Sequence, residues 1–322
     1  MNYSKVAMVV TLTLFLAGCR TAQNEESNIT YLHQYGVELH RDDFFARGGN
    51  GEVVTRQEDG VVVRNCYQNG LLHGLSSYTF AHSDLIAKTC RFEEGSLIEE
   101  TLNWQSGTPK QKDHIDEDGN IASTGWYEEG TPRFYEKSKN GRLVEGEYFT
   151  ASFELESSIK NSCGIRTIRD HLGTLETKET YREGLLVAVE TFYSNGTPSA
   201  QIPYLNGKVD GVKKTFLAGG EPLTVEEWQE GVLHGTLSQY QNGMLVGQIP
   251  YCFGQKQGIE KHFSAKTNDI VEEITWVKDC RQGPASQYLE DGKVITTWYF
   301  NDVKVSESQY KDKCDGRRFG MG

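Results

Sequence analysis

A chain of 322 residues with a formal net charge of −12 repels phosphate backbones and anionic lipid alike, so its charge disfavours nucleic-acid binding. Glycine is abundant, with 34 residues against 7 prolines, and 16 tyrosines accompany it. This composition indicates turn-rich β structure in one or two domains.

Residues 1–18 have the order of an export signal. Lys5 supplies a short positive region, the apolar run VAMVVTLTLFLA follows, and small residues precede Cys19. The apolar run is too short to span a bilayer. The stretch LAGC, residues 16–19, resembles the lipobox of bacterial lipoproteins, in which the cysteine is acylated and becomes the mature N-terminus. We therefore expect a signal peptide at 1–18 and lipid attachment at Cys19. The alternative is an ordinary signal peptide or membrane anchor in which the cysteine occurs by chance.

The expected location follows from this anchor. We expect the chain to sit in the cell envelope, held to a bacterial membrane by acylated Cys19, and at the outer membrane if the host is Gram-negative, because Arg20 and not aspartate follows the cysteine. The next stretch, RTAQNEESNIT, is polar and poor in apolar residues. We therefore predict that residues 19–44 form the acylated cysteine and a polar tether.

Aromatic residues, or their substitutes, recur about every 12 residues from about residue 45 onward, and this regularity predicts a repeat architecture. Asn-Gly, Glu-Gly or Asp-Gly follows many of them, which is typical of tight β-hairpins. Each interval therefore predicts one strand and one turn. In the C-terminal half the aromatic residues are Tyr181, Tyr193, Tyr204, Phe216, Trp228, Tyr240, Tyr251, Phe263, Trp276, Tyr288, Phe300 and Tyr310.

Two kinds of turn alternate, which doubles the repeat to about 23 residues. One kind carries Gly-x-x-x-Gly, as in GLLHG at 70–74 and GVLHG at 231–235. The other carries Gly-x-Pro, where proline fits only beside a turn or where its missing N–H is not needed. The predicted turn glycines are Gly70, Gly74, Gly207, Gly211, Gly231, Gly235 and Gly243.

This pattern resembles the MORN-variant repeat of bacterial proteins, often described as YwqK-type antitoxin proteins, over roughly residues 45–312. The resemblance implies a long antiparallel meander of hairpins and does not imply a catalytic site. We expect an all-β fold, an elongated and curved antiparallel meander of about 23-residue hairpin repeats. The predicted parts are an N-terminal array at 45–149, a degenerate repeat or seam at 150–178, a C-terminal array at 179–312 and a tail at 313–322.

The periodic aromatic residues have two interpretations. They form either a stacked spine along one face of the sheet, with carboxylates in solvent on the other, or a ligand platform. We expect a spine made of Tyr204, Phe216, Trp228, Tyr240 and Tyr251. The candidate binding aromatics are Tyr204, Trp228, Tyr240 and Tyr251.

His73 and His234 occupy the same repeat position, which favours a turn role over a shared metal site. We therefore expect no metal ion and no cofactor. Six cysteines other than Cys19 permit three disulfides in an exported chain. A repeat separates next-nearest strands by about 9.6 Å, too far for a disulfide. This distance disfavours the pairs Cys66–Cys90 and Cys252–Cys280.

The chain contains no nucleophile elbow, P-loop, HExxH sequence or dinucleotide fingerprint, so we expect no enzyme. Carboxylates in RFEEG, YEEG and VEEW are expected to be solvated. The function that we expect is a protein-binding or scaffolding module with an unknown protein or peptide partner. A glycan-binding protein of the cell envelope is the alternative, and a hydrolytic enzyme comes third.

Overall fold

The computed structural model describes residues 28–318, so Cys19 and the predicted signal peptide lie outside the described residues. Within that range the chain forms 28 strands and two helices, and each strand pairing is antiparallel. Most consecutive strands pair with one another as hairpins. The predicted all-β meander of hairpin repeats is therefore confirmed. The described residues divide into two compact units, 28–97 and 98–318.

The first unit begins with two strands and a short helix, followed by a meander. Its elements are β1 (Ile29–His33), β2 (Glu38–Leu39), α1 (Arg41–Ala46), β3 (Gly51–Arg56), β4 (Val62–Gln68), β5 (Leu71–Leu72), β6 (Gly74–Thr79) and β7 (Ile86–Glu93).

Helix α1 packs an apolar side chain against the start of the sheet. Phe44 is fully buried, with ring centroids 5.6 Å from Tyr31 and 6.4 Å from Tyr67. Strand β2 pairs with β1 on the side opposite β3, which shortens an otherwise exposed edge. The predicted tether at 19–44 is therefore wrong from residue 28 onward, because the aromatic residues after the polar stretch supply a small core.

The second unit is a longer meander that ends in a helix. Its elements are β8 (Ser96–Asn103), which begins just before the division, β9 (Pro109–Ile115), β10 (Ile121–Trp126), β11 (Pro132–Lys139), β12 (Arg142–Phe149), β13 (Leu155–Lys160), β14 (Cys163–Arg169), β15 (Leu175–Arg182), β16 (Leu185–Phe192), β17 (Pro198–Leu205), β18 (Lys208–Val209), β19 (Gly211–Phe216), β20 (Pro222–Gln229), β21 (Val232–Gln241), β22 (Met244–Cys252), β23 (Gln255–Lys256), β24 (Gly258–Phe263), β25 (Ile270–Val277), β26 (Cys280–Tyr288), β27 (Val294–Phe300), β28 (Val303–Val305) and α2 (Glu307–Arg318).

Helix α2 covers the last hairpin. The ring of Tyr310 lies 5.1 Å from that of Trp298 and 6.3 Å from that of Phe300. The strands therefore end at Val305, and the predictions of an array to residue 312 and a tail from 313 are wrong. Tyr310, the last aromatic residue of the periodic series, belongs to the capping helix. No helix in residues 28–318 is both long and apolar enough to cross a membrane.

Two kinds of turn alternate along the meander. In an A turn both central residues have positive φ, as at Asn206 (51°) and Gly207 (77°), which suits the twist of a two-residue hairpin. In a B turn only the fourth residue has positive φ, as at Gly196 (84°), whose N–H donates to Tyr193. Prolines 109, 132, 198 and 222 each begin a strand directly after a B turn.

Two loops fit neither definition: in residues 80–83 the third residue, His82, has positive φ, and residues 264–268 close through the Asn268 N–H and the Ser264 carbonyl. The order of A and B turns is also broken twice. Residues 116–119 form a B turn where an A turn is due, and Asn242–Gly243 form an A turn where a B turn is due. Strands β13, β14 and β15 continue the meander through residues 150–178. Of the two alternatives for that segment, the structure shows the degenerate repeat, and the division between units lies at residue 97 instead.

The five residues of the predicted spine do not stack. Among the described residues, no ring contact joins any two of Tyr204, Phe216, Trp228, Tyr240 and Tyr251, and all five are half-buried. The reason is topological. Each aromatic residue ends its strand, and antiparallel neighbours end at opposite sides of the sheet. Consecutive members of the series therefore lie alternately on the A-turn side and the B-turn side of the sheet. Members on the same side are two strand spacings apart.

Candidate functional site

In four Gly-x-x-x-Gly sequences, at 70–74, 207–211, 231–235 and 254–258, the residue before the second glycine caps the next A turn, whereas Val246 at 243–247 has no side-chain acceptor. His234 accepts a hydrogen bond at Nδ1 from the N–H of Phe253 (3.3 Å), and Asp210 accepts one from the N–H of Glu230 (2.9 Å). His73 does the same for Glu94 at 3.4 Å. The side-chain oxygens of three other residues accept the same kind of hydrogen bond from a turn N–H: Asn50 from Asn69, Gln257 from Lys278 and Gln282 from Asn301.

This bond explains why histidine recurs at one repeat position. His73 and His234 act at turns, as hydrogen-bond acceptors and not through a strained backbone of their own. In the described part of the chain, no group of three His, Cys, Asp or Glu side chains is placed to hold a metal ion. The histidines are therefore parts of the repeat scaffold.

The predicted turn glycines fall into two structural roles. Gly70, Gly207, Gly231 and Gly243 are second residues of A turns, with φ between 77° and 85°. The other three, Gly74, Gly211 and Gly235, begin or interrupt the following strand and also have positive φ. At Gly235 (φ 117°) a Cβ atom would overlap the Glu227 carboxylate.

Buried carboxylates recur on one face of the sheet of the second unit. Glu226 is 9 % exposed and binds the Lys213 ammonium (3.1 Å), the Trp228 indole N–H (2.8 Å) and the Thr224 hydroxyl (2.9 Å). Burial raises the pKa of Glu226, but these donors outweigh it and hold the pKa below its usual value. The expectation of solvated carboxylates is wrong at Glu226, although its neighbour Glu227 is exposed.

Glu260 repeats the arrangement of Glu226. It is 5 % exposed and binds Lys256 (2.7 Å) and the His262 ring (2.9 Å). The aromatic partner again lies two residues along the same strand, on the same face. This pattern of Glu-x-aromatic was visible in the sequence, but the burial depends on the lysine from the neighbouring turn or strand, which the pattern does not reveal.

A larger network of the same kind joins β11, β12, β14 and β15. Arg166 donates to both carboxylate oxygens of Glu136 (2.6 and 3.1 Å), and the Tyr148 hydroxyl donates to Glu136 (2.9 Å). The Tyr181 hydroxyl donates to Glu179 (2.9 Å), and burial together with this carboxylate raises the pKa of Tyr181 to about 12. Since every charge here has a partner, the network holds strands in register.

An aromatic cluster lies at the surface of β11 to β13. The Phe149 ring stands edge-on to Tyr135 at 5.6 Å and stacks on Phe153 at 4.9 Å. Leu155 is the cross-strand partner of Phe149. Phe149 is buried, whereas the other three side chains are exposed, Phe153 to 53 % and Leu155 to 59 %. We call these four residues the aromatic patch.

Phe153 occupies a backbone position that disfavours phenylalanine. It is the fourth residue of a B turn, with φ 61°, and its N–H donates to Thr150. Bulky side chains are strained at positive φ, at a cost of about 1 kcal/mol or more. Glycine fills the equivalent position in B turns at Gly60, Gly107, Gly130, Gly173, Gly196, Gly220 and Gly292.

A groove adjoins the aromatic patch. It has a volume of about 580 Å³, and its lining includes Tyr135, Lys137, Glu145, Glu147 and Lys160. Lys137 and Glu145 neutralise each other across 2.9 Å. The groove is open, with both polar and apolar side chains in its lining, and Tyr135 is the patch residue that it includes. It can therefore receive an extended segment with both apolar and charged side chains.

The four predicted binding aromatics do not join this groove. All four side chains are half-buried at strand ends that precede A turns, and the A turn after Tyr240 is Asn242–Gly243. Trp228 is also held by Glu226 and lies under the Lys213 ammonium. Phe153 was not among the predicted site residues, although a phenylalanine at a turn position where glycine is usual is a signal that the sequence contains.

No protein-family model matches this chain, and no curated protein matches its sequence. The resemblance to MORN-variant repeats therefore stays a prediction from the sequence.

Proposed function

We propose that this chain is a membrane-anchored lipoprotein whose MORN-like repeat array binds a protein partner. The observation that carries the proposal is the aromatic patch. Exposed apolar clusters beside a groove mark interaction sites on soluble surfaces, and strained residues concentrate at functional positions. Phe153 combines both properties, being stacked, exposed and at positive φ.

The repeat scaffold suits this role because it presents the patch on paired strands. The Tyr127 hydroxyl donates to the Phe149 carbonyl (2.7 Å), which ties one B turn to the next. Arg166 and Glu136 fix β14 against β11. A patch mounted on such elements needs little reorganisation when a partner binds.

The glycan-binding alternative has less support. Trp228 is engaged by Glu226 and Lys213, and Trp298 and Phe300, from the only run of three adjacent aromatic residues, pack on Tyr310. Rings that stack on sugars need a free face. The exposed rings of the aromatic patch sit beside apolar Leu155, which favours a protein partner.

The anchor and the binding function are tested separately. Cys19→Ser should release the chain from membranes and abolish its labelling with fatty acid, because lipid attachment needs the thiol. For binding, the anchored wild type and the Phe153→Asn variant are crosslinked in intact cells and recovered by affinity tag. The proposal expects one recurrent protein whose recovery falls sharply in the variant.

The matched control is Phe253→Asn. Phe253 is also an exposed phenylalanine (71 %) at a turn, with φ 48°, but it lies outside the patch and contacts His234. Asparagine tolerates positive φ at both sites. Equal recovery from the wild type and both variants would contradict binding through the patch.

A further inference from the structure

We infer that the aromatic patch takes a positively charged, apolar segment of its partner, with one apolar side chain against Phe153 and Leu155 and flanking Lys or Arg side chains on the acidic rim. This inference rests on the proposed function. It adds the chemical class of the bound segment, which follows from the charges around the patch.

Acidic side chains surround the patch on two sides. Glu147 is the cross-strand partner of Tyr135, and Glu154 follows Phe153 directly. Glu128 and Glu129 stand at the tip of the neighbouring B turn, which the Tyr127 hydroxyl ties to Phe149. All four are exposed, and no ion pair engages any of them among residues 28–318.

Cations near the patch are fewer, and most are already engaged. Lys137 is paired with Glu145, and the Arg133 guanidinium donates to the Arg169 carbonyl and lies over the Phe134 ring. Lys160 belongs to the lining of the groove. The rim therefore carries a net negative charge, which attracts basic segments and repels acidic ones.

Phe153 indicates that the bound segment carries an apolar side chain. A turn that keeps phenylalanine where glycine is unstrained retains backbone strain, and the ring is only partly covered by Phe149. An apolar side chain of the partner covers the remaining exposed area of Phe153, Tyr135 and Leu155. Removing this apolar area from water favours binding. Aromatic anchors of this kind dominate the binding energy of interfaces.

The test uses three synthetic nine-residue peptides and the purified full chain. The first peptide has a central phenylalanine flanked by lysines and serines, the second replaces lysine by glutamate, and the third replaces phenylalanine by serine. Binding is measured by fluorescence anisotropy at two salt concentrations. We expect the first peptide to bind most tightly, about fivefold or more over the others, with an affinity that falls as salt rises.

Variants place the binding at the patch. Phe153→Asn should weaken the first peptide about fivefold, whereas Phe253→Asn should change its affinity less than about twofold. Glu147→Gln with Glu154→Gln should weaken it and reduce its salt dependence. Circular dichroism of each variant checks that the sheet is retained.

Three results would overturn the inference. They are tighter binding of the glutamate peptide, equal binding of the serine peptide, and an equal loss in both phenylalanine variants. If a cellular partner still depends on Phe153 while the lysine peptide does not bind, the basic segment is wrong and the proposed function stands. If neither depends on Phe153, both fail.

Discussion

His234 accepts a hydrogen bond at Nδ1 from the backbone N–H of Phe253, 3.3 Å away and 19 positions further along the chain. Asp210, Gln257 and Gln282 make the same bond to the turns that follow them. Where its fourth residue is His, Asp or Gln, the Gly-x-x-x-Gly sequence therefore encodes a hairpin and also the cap for the next A turn. Consecutive A turns are linked into a ladder by these side chains.

We predict that His234→Ala lowers the free energy of unfolding by about 0.5–1 kcal/mol, because the Phe253 N–H loses its acceptor while keeping access to water. His234→Gln should recover most of the loss, since Gln257 fills the same position in its own repeat. Urea titration of the two variants and the wild type provides the comparison. Equal midpoints for the alanine and glutamine variants would contradict the capping role.

Substitutions at Gly207 and Gly164 distinguish two free-energy costs of replacing glycine, which are backbone strain at positive φ and steric overlap of the added Cβ atom. No atom lies within 4 Å of a Cβ built on Gly207, so Gly207→Val should cost only the strain of positive φ, about 1–2 kcal/mol, and Gly207→Asn almost nothing. At Gly164 a Cβ would overlap the Ser158 carbonyl oxygen. Gly164→Ala should therefore destabilise more than Gly207→Val. Thermal melts that reverse this order would refute the explanation.

Glu226 should make the stability of the sheet depend on pH. Its folded-state pKa lies below the usual value of about 4.3, so its contribution is present above that value and is lost as the pH falls through the folded pKa. Glu226→Gln should destabilise by about 1–2 kcal/mol at pH 7. The difference in unfolding free energy between Glu226→Gln and the wild type should shrink as the pH falls toward 3.

The control for Glu226 is the exposed turn residue Glu183, where Glu183→Gln should change the unfolding free energy little relative to the wild type at pH 7, because solvent screens an exposed charge. Urea titrations at several pH values measure both variants. A constant difference between wild type and Glu226→Gln across that range would show that the carboxylate charge does not stabilise the sheet.

The six described cysteines are all free thiols in the structure. Cys66 lies on β4 and Cys90 on β7, with β6 paired between them. We predict that peptide mapping under non-reducing conditions recovers no Cys66–Cys90 bridge and no Cys252–Cys280 bridge. Recovery of either bridge would mean that these strands pair differently from the register described above.

Much of the fold could be predicted from the sequence because the local turn sequences and the repeat spacing indicate the same hairpins. Asn206-Gly207 predicts a two-residue hairpin by itself, and the same spacing recurs until the pattern specifies a meander. The ends were not readable in this way. Tyr310 keeps the aromatic interval but lies in a helix, and Phe44 follows a polar stretch yet is fully buried. Both depend on tertiary packing that periodicity does not encode.

The aromatic patch was harder to predict for a physical reason. Phe149 and Phe153 lie in the segment where the repeat is weakest, and the patch forms only because the B turn brings Phe153 back over Phe149. The predicted spine failed for the opposite reason. Tyr204 and Phe216 are regular in sequence, but a hairpin sends them to opposite ends of adjacent strands.

Direct contact at the aromatic patch is measured by placing a photoactivatable phenylalanine analogue at position 155 in the membrane-anchored chain and, in a parallel strain, at position 244. Leu155 belongs to the patch, whereas Met244 is a similarly exposed apolar residue on β22. The account predicts that irradiation of intact cells gives a discrete protein adduct from position 155 and none from position 244. Absence of an adduct from position 155, or the same adduct from both positions, would contradict protein binding through the patch.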